Sequence, residues 1–143
     1  MAQSVKLNEL AEKMELKNLT QSVELSDKEV AVPDVNRPAL QLTGYFDHFD
    51  SERVQIIGYV EYTYLQTLSR ERKIEIYKQL LSYQVPCVIF STSIYPDGDF
   101  LELATKADIP LLATKKTTSA FMAELIRWMN VKLAPCISIH GVL

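Results

Sequence analysis

The feature that most restricts the fold is a pair of unbroken apolar runs separated by a helical pattern. Residues 85–90 read Val-Pro-Cys-Val-Ile-Phe, and residues 109–113 read Ile-Pro-Leu-Leu-Ala. Continuous apolar runs are typical of strands buried on both faces, as in a parallel sheet covered by helices. Asp99 and Glu102 have capping-box spacing before a helix that runs through Leu103 and Ala107. This half of the sequence therefore predicts a βαβ unit.

Two further helices and a last strand extend this pattern. Ser69 is a predicted N-cap, and Thr117 or Thr118 caps a longer helix. Residues 137–140 are predicted to form a final strand. Right-handed crossovers connect parallel strands in such units. The sequence thus predicts an α/β fold, a mainly parallel β-sheet flanked by helices, as a single domain over residues 1–143.

The first half of the chain has weaker periodicity. Ser4 is a predicted N-cap for a short helix that ends near Met14. Short strands are predicted at residues 16–19, 29–32 and 54–57, the last one ended by Gly58. Residues 36–49 fit no helical period and are predicted to be an irregular loop with some strand character. We expect this half to add strands to one edge of the sheet.

Charge and cysteine content narrow the partners and the compartment. The net charge is −3 with acidic and basic residues interspersed, so no basic stripe predicts a nucleic-acid partner. The longest apolar runs are strand-sized, and Lys6 and Glu9 lie where a signal peptide needs an apolar region. We therefore expect a cytoplasmic protein without a membrane partner. Cys87 and Cys136 have apolar neighbours and are predicted to be buried free thiols.

Scarce glycines and histidines exclude several kinds of site. The four glycines are far apart, whereas a P-loop, a dinucleotide fingerprint and a nucleophile elbow each need closely spaced glycines. Two histidines cannot build a three-histidine metal centre. Cys136 and His140 would lie too far apart along one strand to share a zinc ion. We predict no metal site.

One segment is the best generic ligand site in the chain. It lies between a predicted strand and a predicted helix, and a helix N-terminus with hydroxyls and lysines can hold an anion. Open α/β sheets also bind ligands at the carboxyl ends of their strands. The anion-binding candidates are Lys115, Lys116, Thr117 and Thr118, and simple helix capping is the alternative interpretation.

Two other clusters favour ordinary structure over chemistry. Asp97, Asp99 and Glu102 lack the remaining ligands of a calcium loop, so a turn with a helix cap accounts for them. His48 lies between acidic residues but has no nucleophile nearby, which favours a surface loop.

An ordered set of motifs resembles the N-terminal domain of bacterial HPr kinase/phosphorylase. Residues 32–46 are similar to that family's Arg-Pro-Gly-Leu…Gly-Tyr-Phe segment, and residues 52–58 resemble its Glu-Arg-Ile-Gln-Leu-Leu-Gly strand. The two apolar runs match its buried strands. Leu-Ala-Pro at 133–135 and His-Gly-Val-Leu at 140–143 match its entry into the kinase domain. Each motif is weak alone, but their order and spacing hold over the whole chain.

The resemblance implies a bifunctional enzyme of carbon catabolite repression. Such an enzyme uses ATP and magnesium to phosphorylate a serine of HPr, the phosphocarrier of the sugar phosphotransferase system. It also catalyses the reverse attack of phosphate on phosphoseryl-HPr, which releases pyrophosphate, and members are homohexamers. His140 matches a family active-site histidine and is the catalytic residue that the resemblance predicts.

Three departures from the family pattern bear on function. Ala39 stands where the family usually has glycine, which would strain a backbone that tolerates only glycine. Thr92 and Ser93 replace the family's Arg-Gly. The family's P-loop kinase domain would begin near residues 135–143, and we expect it to be absent from this chain. We therefore expect the fragment to bind neither ATP nor magnesium and to be catalytically inactive alone, with its role in assembly, regulation or ligand sensing.

A second hypothesis comes from a different functional class. The chain would be a free-standing ligand-binding or protein-interaction module of the same fold, with its anion site at the segment from Lys115 to Ser119. A complete small enzyme is disfavoured because no nucleophile–base pair is visible.

Overall fold

The computed structural model describes residues 3–134, which form a sheet with helices on both faces. The elements are β1 (Val5–Lys6), α1 (Leu7–Lys13), β2 (Lys17–Asn18), β3 (Glu29–Val30), β4 (Val35–Asn36), α2 (Ala39–Leu42), β5 (Val54–Ile57), α3 (Tyr59–Leu65), α4 (Arg70–Ser82), β6 (Val88–Phe90), α5 (Gly98–Lys106), β7 (Leu111–Ala113) and α6 (Thr118–Lys132). The predicted strand at 137–140 lies outside the described residues.

The sheet has five strands in the order β2-β7-β6-β5-β4. Strands β4 to β7 are parallel, and β2 is antiparallel to β7. This confirms the predicted mainly parallel α/β sheet. The expectation that the first half adds strands to one edge is wrong, because β2 and β4 occupy opposite edges. Strands β1 and β3 form a separate antiparallel pair, so part of that half does not join the sheet.

Alternating side chains of the central strands build two apolar cores. Ile57 and Phe90 point into the core that α4 and α5 cover. Ile56, Ile89 and Leu112 point into the opposite core, which α1 and α6 cover. A strand sends successive side chains to opposite faces. Every strand residue from β5 to β7 is therefore buried, as the unbroken apolar runs predict for β6 and β7.

The helix caps agree with the sequence at some positions and differ at others. Ser69 Oγ accepts the Arg72 amide at 3.1 Å, and Thr117 is the N-cap of α6, so both predicted positions are confirmed. The N-cap of α5 is Asp97, not Asp99. Ser4 is likewise not the cap of α1, which begins at Leu7. Residues 5 and 6 pair with β3 first, and this delays the helix.

The sequence pattern did not predict the short helix α2. Residues 39–42, predicted as loop, form α2, which begins at Ala39. Four residues are too few to show a 3.6-residue period. Ala39 is not among the residues with a left-handed backbone, so alanine fits this position without the strain that the family's glycine suggested. Thr92 and Ser93, in contrast, have positive φ values of 59° and 56°.

Candidate functional site

The carboxyl ends of four parallel strands meet at one edge of the sheet. Arg37 follows β4, Gly58 follows β5 and Ser91 follows β6. The segment of residues 114–117 follows β7. Neighbouring parallel strands end side by side. The topology therefore brings polar residues together that are up to 80 positions apart in the sequence, at the edge where α/β sheets bind ligands.

A buried carboxylate joins the first two of these strand ends. Glu61 Oε1 accepts hydrogen bonds from the Gly58 amide at 2.7 Å and from Arg37 Nη2 at 2.8 Å. The Glu61 side chain is 3% exposed and that of Arg37 is 36% exposed. Gly58 has no side chain to cap α3, so Glu61, three residues on, supplies the cap. A buried charge needs such partners, and both bonds fix the start of α3.

Hydroxyl groups join the third strand end to α6. Ser91 Oγ and Thr118 Oγ1 are 2.6 Å apart, and Thr92 Oγ1 lies 3.5 Å from each. Ser91 is fully buried. The cluster also borders Gly58, where an added Cβ would lie 2.5 Å from Thr118 Oγ1 and 2.8 Å from Arg37 Nη2. Glycine at this position lets three loops approach one another closely.

The four predicted anion-binding residues do not converge on one point. Thr118 turns into the hydroxyl cluster, and the side chain of Thr117 makes no capping bond. Lys115 and Lys116 instead line a separate hollow at the end of β7. Lys116 pairs with Glu124, and this hydrogen bond lowers the pKa of the Glu124 carboxyl.

Asp97 and His48, for which the sequence predicts a structural role, lie in a helix cap and on a surface loop. Asp97 accepts the Phe100 amide at 2.8 Å and the Tyr77 hydroxyl at 2.6 Å, which confirms the interpretation as a turn with a cap. His48 is exposed on a loop with a φ of 60°. Within residues 3–134 no three metal-ligating side chains cluster.

The cysteine prediction is confirmed where the structure describes it. Cys87 is a buried free thiol in β-sheet surroundings, and burial raises its pKa to about 12. A thiol with so high a pKa is a poor nucleophile at neutral pH. Cys136 and the predicted catalytic His140 lie outside the described residues.

Sequence reasoning missed Arg37, Glu61 and Ser91 as partners at the sheet edge. One local signal was available, because Glu61 lies three residues after Gly58, which is the spacing of a capping box. No spacing rule could have linked Ser91 to Thr118, since their contact depends on the pairing of β6 with β7.

Among the helices of the described part, none is long and apolar enough to cross a membrane.

Comparison with known proteins gives consistent matches along the chain. The family described as "HPr Serine kinase N terminus" matches residues 5–129. The HPr kinase/phosphorylase of Lachnoclostridium phytofermentans is 52% identical over 140 residues, which are 98% of this chain and 45% of that protein. That of Caldicellulosiruptor bescii is 36% identical and covers 96% of this chain and 44% of its own length. The chain thus spans about 45% of the length of these relatives.

A solved structure shares the fold. It contains the CBS and DRTGG domains of the regulatory region of Clostridium perfringens pyrophosphatase, complexed with the activator diadenosine tetraphosphate. The match has a TM-score of 0.57 at 15% identity and covers 92% of this chain and 51% of that chain. At this identity the likeness establishes a common architecture alone.

Proposed function

This chain belongs to the HPr serine kinase N-terminal family, and from that premise we propose that it is the N-terminal assembly and regulatory domain of a bifunctional HPr kinase/phosphorylase controlling carbon catabolite repression. The observation that carries the proposal is the match of nearly the whole chain to less than half of each relative. Phosphoryl transfer then belongs to the part of the protein that this chain does not match.

The polar groups at the carboxyl edge of the sheet form hydrogen bonds with one another, which supports a structural role for them. Glu61 is held by an amide and a guanidinium, and Ser91 and Thr118 bond to each other. Phosphoryl transfer depends on charges positioned around the phosphates and a metal ion. These groups are engaged with one another and tie loops together, so we assign none of them to the reaction.

The remaining features of the whole enzyme are part of the same proposal. The protein that contains this chain uses ATP and magnesium, acts on HPr in the cytoplasm and assembles as a homohexamer. His140 contributes to its active site. The occurrence of the same fold in the regulatory region of a pyrophosphatase is compatible with a regulatory task for this domain.

A domain exchange tests the proposal directly. This chain replaces the matching N-terminal residues of the Lachnoclostridium enzyme, and the chimera is assayed for ATP-dependent phosphorylation of HPr and for mass by light scattering. We expect activity within a few-fold of the intact enzyme and the same oligomeric state. A folded chimera that lacks both, while the intact enzyme retains them, would contradict the proposal.

A second assay tests the division of labour. The chain alone is incubated with labelled ATP, magnesium and HPr, with the intact Lachnoclostridium enzyme as the positive control. We expect no labelled HPr from the chain. Detectable transfer would show that this domain contains catalytic machinery.

A further inference from the structure

The loops that follow β6 and β7 diverge to opposite faces of the sheet. After β6 the chain enters α5, whose Phe100 packs in one core, and after β7 it enters α6, whose Phe121 packs in the other. Divergent loops at the carboxyl ends of adjacent parallel strands leave an open hollow, which is where open α/β sheets bind ligands. The hollow at the end of β7 has a volume of about 270 Å³.

The floor and one wall of this hollow are apolar. Met14 and Ala113 form buried parts of the floor, at 1% and 5% exposure. Tyr95 forms a wall and remains 47% exposed. An exposed aromatic ring beside an apolar floor offers a surface on which a flat ring can stack.

The rim of the hollow is cationic. Lys17, Lys115 and Lys116 line it, together with one acidic side chain, that of Glu15. Lys116 is paired with Glu124. Over residues 3–134, Lys17 and Lys115 have no carboxylate within ion-pair distance. Both lysines thus line the hollow without a carboxylate that neutralises them.

Backbone hydrogen bonds hold the hollow in shape before any ligand arrives. The Thr92 amide donates to the Lys116 carbonyl at 2.8 Å, and the Ser93 amide donates to the Thr114 carbonyl at 3.2 Å. The Lys116 amide donates to Thr114 Oγ1 at 3.2 Å. A preformed site loses less conformational entropy on binding than a mobile one.

We propose that this hollow binds a mononucleotide-sized phosphate ester, with its ring against Tyr95 and its phosphate between Lys17 and Lys115. The volume lies just below the usual range of ligand pockets, about 300–1,000 Å³, so a mononucleotide fits better than a larger ligand. Lysine contributes point charges to phosphate binding, and aromatic stacking supplies affinity for the ring without base selectivity. The inference concerns this chain alone and is independent of the proposed function.

Calorimetry with the full chain tests the site, using adenosine 5′-monophosphate as the probe. We expect Lys115→Gln to weaken AMP binding about tenfold and Tyr95→Leu about fivefold, from the loss of a charge-assisted contact and of stacking. Lys78→Gln, which removes the same charge from an exposed position on α4, is the matched control and should leave the affinity unchanged. Higher salt should weaken binding because the lysines are exposed.

Half-ligands and amide chemical shifts complete the test. Adenosine and inorganic phosphate should each bind far more weakly than AMP, and AMP should shift the amide resonances of Tyr95 and Lys115. The proposal is overturned by the absence of binding at millimolar AMP, by equal affinity for phosphate alone, or by variants that bind like the unsubstituted chain. Shifts confined to another part of the chain would also overturn it.

Discussion

Gly58→Ala should destabilise this chain although the backbone accepts alanine. The φ and ψ of Gly58 are −105° and −165°, an extended conformation open to any residue. The new Cβ would instead lie 2.5 Å from Thr118 Oγ1 and 2.8 Å from Arg37 Nη2. Both atoms must move away. Thr118 then loses its hydrogen bond to Ser91. Arg37 loses its bond to Glu61, whose carboxylate keeps only the hydrogen bond from the Gly58 amide.

The expected magnitude follows from these two bonds. A neutral hydrogen bond contributes about 1 kcal/mol, and one to a charged group about 1.5–3 kcal/mol. We take the lower end for the Arg37 bond because the guanidinium is one-third exposed, which screens its charge. Replacing glycine by alanine returns about 0.5 kcal/mol by restricting the unfolded chain. The net loss is about 2 kcal/mol of unfolding free energy.

Urea unfolding measures the change, with Gly98→Ala as the matched control. Gly98 begins α5 and an added Cβ there meets no atom within 4 Å, so this variant should be more stable by about 0.5 kcal/mol. Adding Thr118→Ala to Gly58→Ala should make the double variant less destabilised than the sum of the two, because the clash with Oγ1 is gone. The reasoning would be refuted if Gly58→Ala were as stable as the unsubstituted chain while Gly98→Ala behaved as expected.

Three further predictions concern other parts of the fold. Gln84 has a φ of 55° after α4, so Gln84→Gly should stabilise by about 0.5–1 kcal/mol, whereas Gln79→Gly inside the same helix should destabilise by about 1 kcal/mol; urea unfolding that shows equal effects would contradict this. Burial, then its hydrogen bond to Asp97, raises the pKa of Tyr77. Because the folded pKa exceeds the unfolded value of about 10, this group's stabilisation is complete below pH 10 and falls by about 1.4 kcal/mol per pH unit above it. Tyr77→Phe should remove that part of the alkaline loss, and an unchanged pH profile of stability would refute it. Cys87 should react with a thiol reagent at pH 8 only at the rate of unfolding, as measured in a Cys136→Ser variant; rapid reaction in the folded state would contradict its burial.

Over the residues that the structure describes, the sequence predicted the second half of the chain well and the first half only in part. Its correct predictions depend on local signals: apolar runs for β6 and β7, and the cap at Ser69. The cap predicted at Ser4 is wrong because residues 5 and 6 pair with β3 before the helix begins, and the cap predicted at Asp99 is wrong because Asp97, two residues earlier, caps α5. The helix α2 was missed because a single turn has no period to detect.

The candidate ligand site was likewise predicted from the sequence only in part. From the sequence alone, the segment of Lys115 to Thr118 was identified as a ligand site because it joins a buried strand to a helix. The tertiary structure separated these residues, since Thr118 bonds to Ser91 while Lys115 lines a hollow together with Met14 and Tyr95. The type of each element and its burial depend on neighbouring residues, so local sequence patterns predict them. Contacts between loop ends depend on strand order and on the face to which each helix crosses, and only the folded sheet decides those.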